Sequence, residues 1–230
     1  MNEFISAIIT AGGSGTRMGA DVPKLEIKID GHTILEHTLS KFIDLKYIDE
    51  IIIVAPKELL AEYKTRYEDE KIKVVEGGNS REESTFRGLC SISDRSTIVI
   101  CHDGARPLVD ERIIEDSIKS AIEFGSAVAA VKSKDTIKRA DKTVIETLNR
   151  DELYNIQTPQ TFKTEILKSA YKNYKRFKVT DDASLVENLG KEVYLIEGSY
   201  KNIKVTTPDD LIIAKAFLEN EKEEKSCELE

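Results

Sequence analysis

Six short runs in this chain are apolar nearly from end to end: Ile5–Thr10, Ile51–Ala55, Ile72–Val75, Thr97–Cys101, Ala127–Val131 and Val193–Ile196. A strand with one wet face alternates apolar and polar residues, whereas a strand covered on both faces does not. Amphipathic helical stretches separate these runs. Two of them open on a possible capping box, Thr33 with Glu36 and Ser80 with Glu83, where a hydroxyl accepts the third amide and the carboxylate reaches back. In "TTPDDL", Thr207 suits an N-cap, Pro208 the first helical position, and the two acids the positive end of the helix dipole. The alternation predicts an α/β fold, a mostly parallel sheet with helices on both faces. In such sheets ligands bind beyond the carboxyl ends of the strands.

The first strand ends in glycines and two cations, "AIITAGGSGTRMGADVPK" from Ala7 to Lys24. The stretch is not G-x-G-x-x-G, because Met18 stands where the third glycine belongs. It is not G-x-x-x-x-G-K-[ST] either, because Lys24 is far from the glycines. What is left is a turn whose amides can approach anionic oxygens, since Gly12, Gly13 and Gly15 carry no Cβ. Arg17 and Lys24 add full charges. A structural turn with two surface cations is the plainer alternative.

The 230 residues, 40% hydrophobic and 33% charged, suffice for one sizeable core, and residues 1–230 read as a single domain. A net charge of -8 and a pI near 5.2 argue against nucleic acid or a membrane surface as the main partner. Cys90, Cys101 and Cys227 are odd in number and lack C-x-x-C spacing, so they read as reduced thiols. With no leader-like N-terminus, a cytoplasmic location is expected. Residues 134–154, "KDTIKRADKTVIETLNRDELY", break the rhythm. Thr136–Arg139 and Thr143–Leu148 alternate around "ADK" as a hairpin too thin for its own core. It is either a surface hairpin of the same subunit or an arm that packs on a partner. The tail "ENEKEEKSCELE" reads as a fraying helix end.

"AGGSGTRMG", Pro23–Lys24, "GGNSREES", "HDGARP", "TPQTF", "TDDASLVENLG" and "NIKVTTPDDL" occur in this order over nearly the whole chain. In this the chain resembles the 2-C-methyl-D-erythritol 4-phosphate cytidylyltransferase family. The resemblance implies a Rossmann-like nucleotidyltransferase fold with a projecting β-arm spanning 134–154, and a homodimer joined through that arm. It implies transfer of a cytidylyl group from CTP to a polyol phosphate in non-mevalonate isoprenoid synthesis, releasing pyrophosphate with Mg2+ or another divalent cation.

The chemistry accounts for the residue types. A phosphate nucleophile is already anionic, so catalysis rests on placement and preorganised positive charge. By resemblance, Arg17 and Lys24 stabilise the transition state, while the backbone at Ala11, Gly12, Gly13, Ser14 and Gly15 holds the triphosphate. Lys204 would place the attacking phosphate; on its residues alone it could equally be an edge-strand surface charge. Gly78, Asn79, Arg81 and Ser84 lie in the region that reads cytosine. Asp103 falls at a strand end, where it could bind ribose or substrate hydroxyls or orient the metal, with Arg106 bracing it. Thr136, Arg150 and Thr158 are assigned to the polyol phosphate, the first two in the opposite subunit's site. His102 reads as structural, and the three histidines suggest no metal cluster. Asn79, Leu25, Gly104 and Ser84–Thr85 depart from residues common in the family. The nearest alternative is a ribitol-5-phosphate cytidylyltransferase; one from another class is a non-catalytic nucleotide-binding module.

Overall fold

The computed structural model describes residues 3–12, 23–172, 174–176 and 179–227. In chain order the strands are β1 (Ile5–Thr10), β2 (Lys28–Ile29), β3 (His32–Thr33), β4 (Glu50–Ala55), β5 (Ile72–Glu76), β6 (Ile98–Asp103), β7 (Ser126–Lys132), β8 (Lys138–Ala140), β9 (Val144–Thr147), β10 (Tyr154–Lys163) and β11 (Tyr194–Glu197). The helices are α1 (Ile34–Ile43), α2 (Leu60–Tyr67), α3 (Arg81–Leu89), α4 (Glu111–Phe124), α5 (Thr164–Tyr171), α6 (Asp182–Glu187) and α7 (Pro208–Cys227). All six apolar runs fall on strands, with only Thr97 and Val193 lying one residue outside them.

Seven strands form one sheet in the order β11-β7-β10-β6-β1-β4-β5. Neighbours run parallel except at β10, which is antiparallel to both β6 and β7. The apolar runs are explained by cover on both faces. In β1, β4 and β6 the residues Ile9, Ile53 and Ile100 join a core under α1, α4 and α7, while Ile8, Ile52 and Val99 join a second core under α3, α5 and α6. Both sets are fully buried, and alternation is absent because neither face is wet.

The strand β10 was not evident from sequence. "YNIQTPQTFK" carries Pro159 among polar residues, and a proline cannot donate to a ladder. The structure accommodates it at an irregularity, where the pairing with β7 shifts register between Ile156 and Gln160. The Thr158–Pro159 bond is cis.

Two caps differ in completeness. Thr33 and Glu36 form the full reciprocal box at α1. At α3, Ser80 accepts from the Glu83 amide, but the Glu83 carboxylate reaches past Ser80 to the Asn79 amide at 2.9 Å, so the expected box is only half made. At α7, Thr207 accepts from the Asp210 amide as an N-cap should. The hairpin of β8 and β9 pairs antiparallel; β8 starts two residues later than expected and ends one later, and β9 is one residue shorter at each end.

Candidate active site

β1 leads across to β4 on one side, and the chain later returns to place β6 on its other side. This reversal makes a crevice at the carboxyl ends of β1 and β6. There Thr10 lies opposite Asp103, and the Gly104 amide donates to the Thr10 carbonyl at 3.0 Å. Ala11–Gly12 and "HDGARP" therefore leave the sheet side by side.

Asp103 is buried, and three cations surround it. Lys204 Nζ lies 2.9 Å from Oδ2, Arg81 Nε 3.5 Å from Oδ1, and Arg106 Nε 3.6 Å from Oδ2. Burial alone would raise the Asp103 pKa; the charges of Arg81, Lys204 and Arg106, with the Lys204 hydrogen bond, outweigh it and hold the carboxyl well below the usual carboxylate range. Arg106 braces Asp103 as expected, and its Nη1 also donates to the Asn202 carbonyl at 2.7 Å. That bond, with the Val205 amide on the Ala105 carbonyl at 2.8 Å, stitches the "NIKV" loop to the turn after β6. Asn202 is fully buried, its amide donating to Gln157 Oε1 and the Thr158 carbonyl. Lys204 thus projects from a fastened loop and not from an edge strand, with its ammonium on Asp103.

Thr158 is buried against the same turn. Its Oγ1 accepts from the Asp103 amide at 3.1 Å and lies 3.1 Å from His102 Nδ1. His102 Nε2 faces the Arg106 carbonyl, which can only accept, so the ring carries its proton on Nε2 and takes the Thr158 proton on Nδ1. Burial pushes the His102 pKa down to about 4, so the ring is neutral near pH 7. The expectation of a structural histidine holds. The Thr158 hydroxyl, assigned to substrate by resemblance, is already engaged in holding the Asp103 backbone.

A cavity of about 380 Å³ opens beside this cluster, lined by Thr10, Gly12, Gly78, Asn79, Ser80, Arg81 and Ser84. Ser84 is buried and accepts from the Gly78 amide at 3.1 Å, fixing the loop between β5 and α3. At Gly78 an added Cβ would fall 2.2 Å from Glu83 Cγ, so any larger residue forces Glu83 to move. Asn79 is exposed at the rim. Gly104 sits where an added Cβ would meet the Thr10 carbonyl at 2.9 Å and Leu35 and Leu25 just beyond. Two departures from the family pattern, Leu25 and Gly104, therefore face each other.

Arg81 does more than line the cavity. Its Nη2 pairs with Asp182 Oδ2 at 2.9 Å, and Tyr171 donates to the other oxygen of Asp182. Asp182 was not singled out from sequence. The available signal was Asp181 with Ser184, a capping box that announces the start of α6.

Lys24 begins a single 3-10 turn (Lys24–Glu26) and is partly buried. Ala11 closes β1, its amide donating to Val54 at 2.9 Å. Gly13, Ser14, Gly15 and Arg17 lie outside the described residues. Thr136 and Arg150, at the two ends of the hairpin, are exposed; Arg150 donates to the Lys134 carbonyl at 3.3 Å. Among the described residues neither bonds to the Asp103 cluster. No group of three or more His, Cys, Asp or Glu among the described residues is placed to hold a metal ion. No helix of the described residues is long and apolar enough to cross a membrane.

Residues 5–220 match the family model for 2-C-methyl-D-erythritol 4-phosphate cytidylyltransferase. A protein of that name from Clostridium perfringens is 47% identical over 226 residues, covering 95% of this chain and 100% of the relative. The solved 4-diphosphocytidyl-2C-methyl-D-erythritol synthase of Anaerococcus prevotii superposes with a TM-score of 0.85 at 40% identity, covering 95% of this chain and 100% of that one. The Francisella tularensis 2-C-methyl-D-erythritol 4-phosphate cytidylyltransferase gives 0.79 at 35%, covering 92% and 98%. The chain belongs to the 2-C-methyl-D-erythritol 4-phosphate cytidylyltransferase family, nucleotidyltransferases of non-mevalonate isoprenoid synthesis.

Proposed function

We propose that residues 1–230 act as one nucleotidyltransferase domain that joins CTP to 2-C-methyl-D-erythritol 4-phosphate, using the crevice at the ends of β1 and β6. The observation that carries this is the Lys204–Asp103–Arg81 cluster beside a cavity walled by Gly12, Gly78 and Ser84. An oxygen of the polyol phosphate attacks the α-phosphorus of CTP. The new P–O bond forms as the α–β bridging bond breaks, and pyrophosphate leaves. No proton has to be removed from an ionised phosphate, which suits a site built of cations. Charge grows on the α-phosphoryl oxygens, so fixed cations there lower the barrier. Lys24 and Arg17 take this part, with the backbone of Ala11 to Gly15 along the triphosphate. Lys204 exchanges Asp103 for the incoming phosphate, and Arg81 and Arg106 keep Asp103 neutralised when it does so. Gly78, Asn79, Arg81 and Ser84 face the nucleotide, and Asp103 its ribose or the polyol hydroxyls.

A divalent cation fits if the nucleotide supplies most of the ligands. Magnesium commonly binds through one or two carboxylates plus substrate phosphates, and Asp103 with the triphosphate meets that description. When bound, the ion would offset triphosphate charge.

The hairpin supports a homodimer. All of β8 and β9 is exposed, and Val144 and Ile145 are each 60% accessible, apolar side chains that no described residue covers. We read Thr136 and Arg150 as reaching the polyol phosphate of the opposite subunit, where an arginine can grip phosphate with two parallel bonds. Free Cys90 and Cys101 support a cytoplasmic setting.

The test is pyrophosphate release with CTP and 2-C-methyl-D-erythritol 4-phosphate, run beside ribitol 5-phosphate and beside UTP. Release only with the first pair is expected. Faster turnover of ribitol 5-phosphate would overturn the substrate, and no release with any pair would overturn catalysis.

A further inference from the structure

Asp182 is a carboxylate with no solvent exposure at the first turn of α6. A buried ion pair is weak ground for stability, because apolar residues of like volume often hold a core as well. Its geometry is more telling than its energy. Oδ1 accepts from the Tyr171 hydroxyl at 2.5 Å and Oδ2 from Arg81 Nη2 at 2.9 Å. The carboxylate is itself located by β10: Gln160 donates to Asp181 Oδ2 at 2.8 Å and accepts from the Ala183 amide at 3.0 Å, fixing the residues on either side of Asp182. At its other edge Arg81 reaches Asp103 Oδ1 at only 3.5 Å. The guanidinium is therefore held firmly from behind and loosely in front, at the wall of the cavity that Gly12, Gly78 and Ser84 share.

We infer that Asp182, oriented by Tyr171, is a positioning residue that keeps the Arg81 guanidinium facing the nucleoside triphosphate. Without it, Arg81 would swing forward into a two-bond pair with Asp103, the strongest arrangement open to an arginine and a carboxylate. Its charge would then be spent on Asp103 and lost to the nucleotide. The inference rests on the reading of Arg81 as a nucleotide contact.

Steady-state kinetics of Asp182→Asn, Arg81→Lys and the double variant test it. Asp182→Asn keeps the volume and removes the charge. It is expected to raise KM for CTP about tenfold, the equivalent of about 1.4 kcal/mol, with kcat within about twofold, because ground-state and transition-state binding are lost together. Made on Arg81→Lys it should add nothing, since Asp182 acts through the guanidinium. Tyr171→Phe, which removes one hydroxyl and keeps the carboxylate, should raise the same KM about threefold, and it carries the test if Asp182→Asn does not fold. Independent, multiplying effects of Asp182→Asn and Arg81→Lys would mark a merely structural role and overturn the inference. So would a wild-type KM in Asp182→Asn, or in Tyr171→Phe where it stands in, while Arg81→Lys is impaired. A wild-type KM in Arg81→Lys would instead remove Arg81 from the nucleotide site, and the inference with it.

Discussion

The Asp103 turn and the β8–β9 hairpin hold the two groups of residues assigned to one reaction, and they are built in opposite ways. Around Asp103 every polar contact is made inside one chain: Thr158 and His102 fix the backbone, Arg106 and Asn202 fasten the next loop, and Asp182 anchors Arg81. The hairpin holds itself by its own ladder and the exposed pair Arg139–Glu146, and its apolar residues face outward. On the proposed reading, the difference teaches that the Asp103 end is held by its own chain, whereas the hairpin end, which would grip the polyol phosphate, is left for a partner surface to cover.

The largest expected effect breaks the first region. Asp103→Ala leaves Arg106 and Arg81 facing one another without their shared counter-charge, and breaking a buried pair in this way costs about 3–5 kcal/mol. The midpoint of urea unfolding should fall accordingly. Arg139→Ala in the hairpin should change that midpoint by less than about 1 kcal/mol, because an exposed pair contributes little. Equal losses at the two places would erase the contrast.

Next in size is the chemistry. Lys24→Ala should lower kcat by about 10²-fold, as for loss of one donor to a developing oxyanion, with KM for CTP changing less. A kcat near wild type would remove Lys24 from the transition state.

The hairpin is then tested by sharing. Arg150→Ala should be nearly inactive yet as stable as wild type. Mixed with Lys24→Ala under conditions shown to allow subunit exchange, it should recover activity, since one of the two sites in each heterodimer draws its Lys24 from one chain and its Arg150 from the other. Heterodimers without recovery, or a fully active monomer in sedimentation, would end the shared-site reading. Replacing Val144 and Ile145 with serine should weaken the dimer while leaving monomer unfolding unchanged.

The smallest effect on turnover sits at the cavity rim. Gly78→Ala pushes a methyl into Glu83, which must release the Asn79 amide, at a cost of about 1–3 kcal/mol typical of overpacking. KM for CTP should rise with kcat nearly unchanged. A variant with wild-type KM would show that this loop tolerates displacement.

The sequence by itself determined the layers and the place of the site. Strands buried on both faces must be apolar throughout, so β1, β4, β6 and β7 announced themselves, while the edge strands β5 and β11 were legible from their β-branched runs although partly exposed; the glycines after the first strand marked the candidate crevice. Caps written within four residues, at Thr33 and Thr207, were equally legible because their partners are local. What only the tertiary structure decided lies in contacts between distant segments. β10 hid behind Pro159 and its polar neighbours, which are tolerated in mid-sheet only because the register shifts there. Asp182 stands 101 positions from Arg81, and Asn202 lies 44 from Thr158. No periodicity ties such residues together, since a buried polar side chain takes its partner from whatever the fold brings within about 3 Å. Lys204 shows both halves of this: its charge is written in the chain, but its place opposite Asp103 comes from the bonds that Asn202 and Val205 make to the turn after β6.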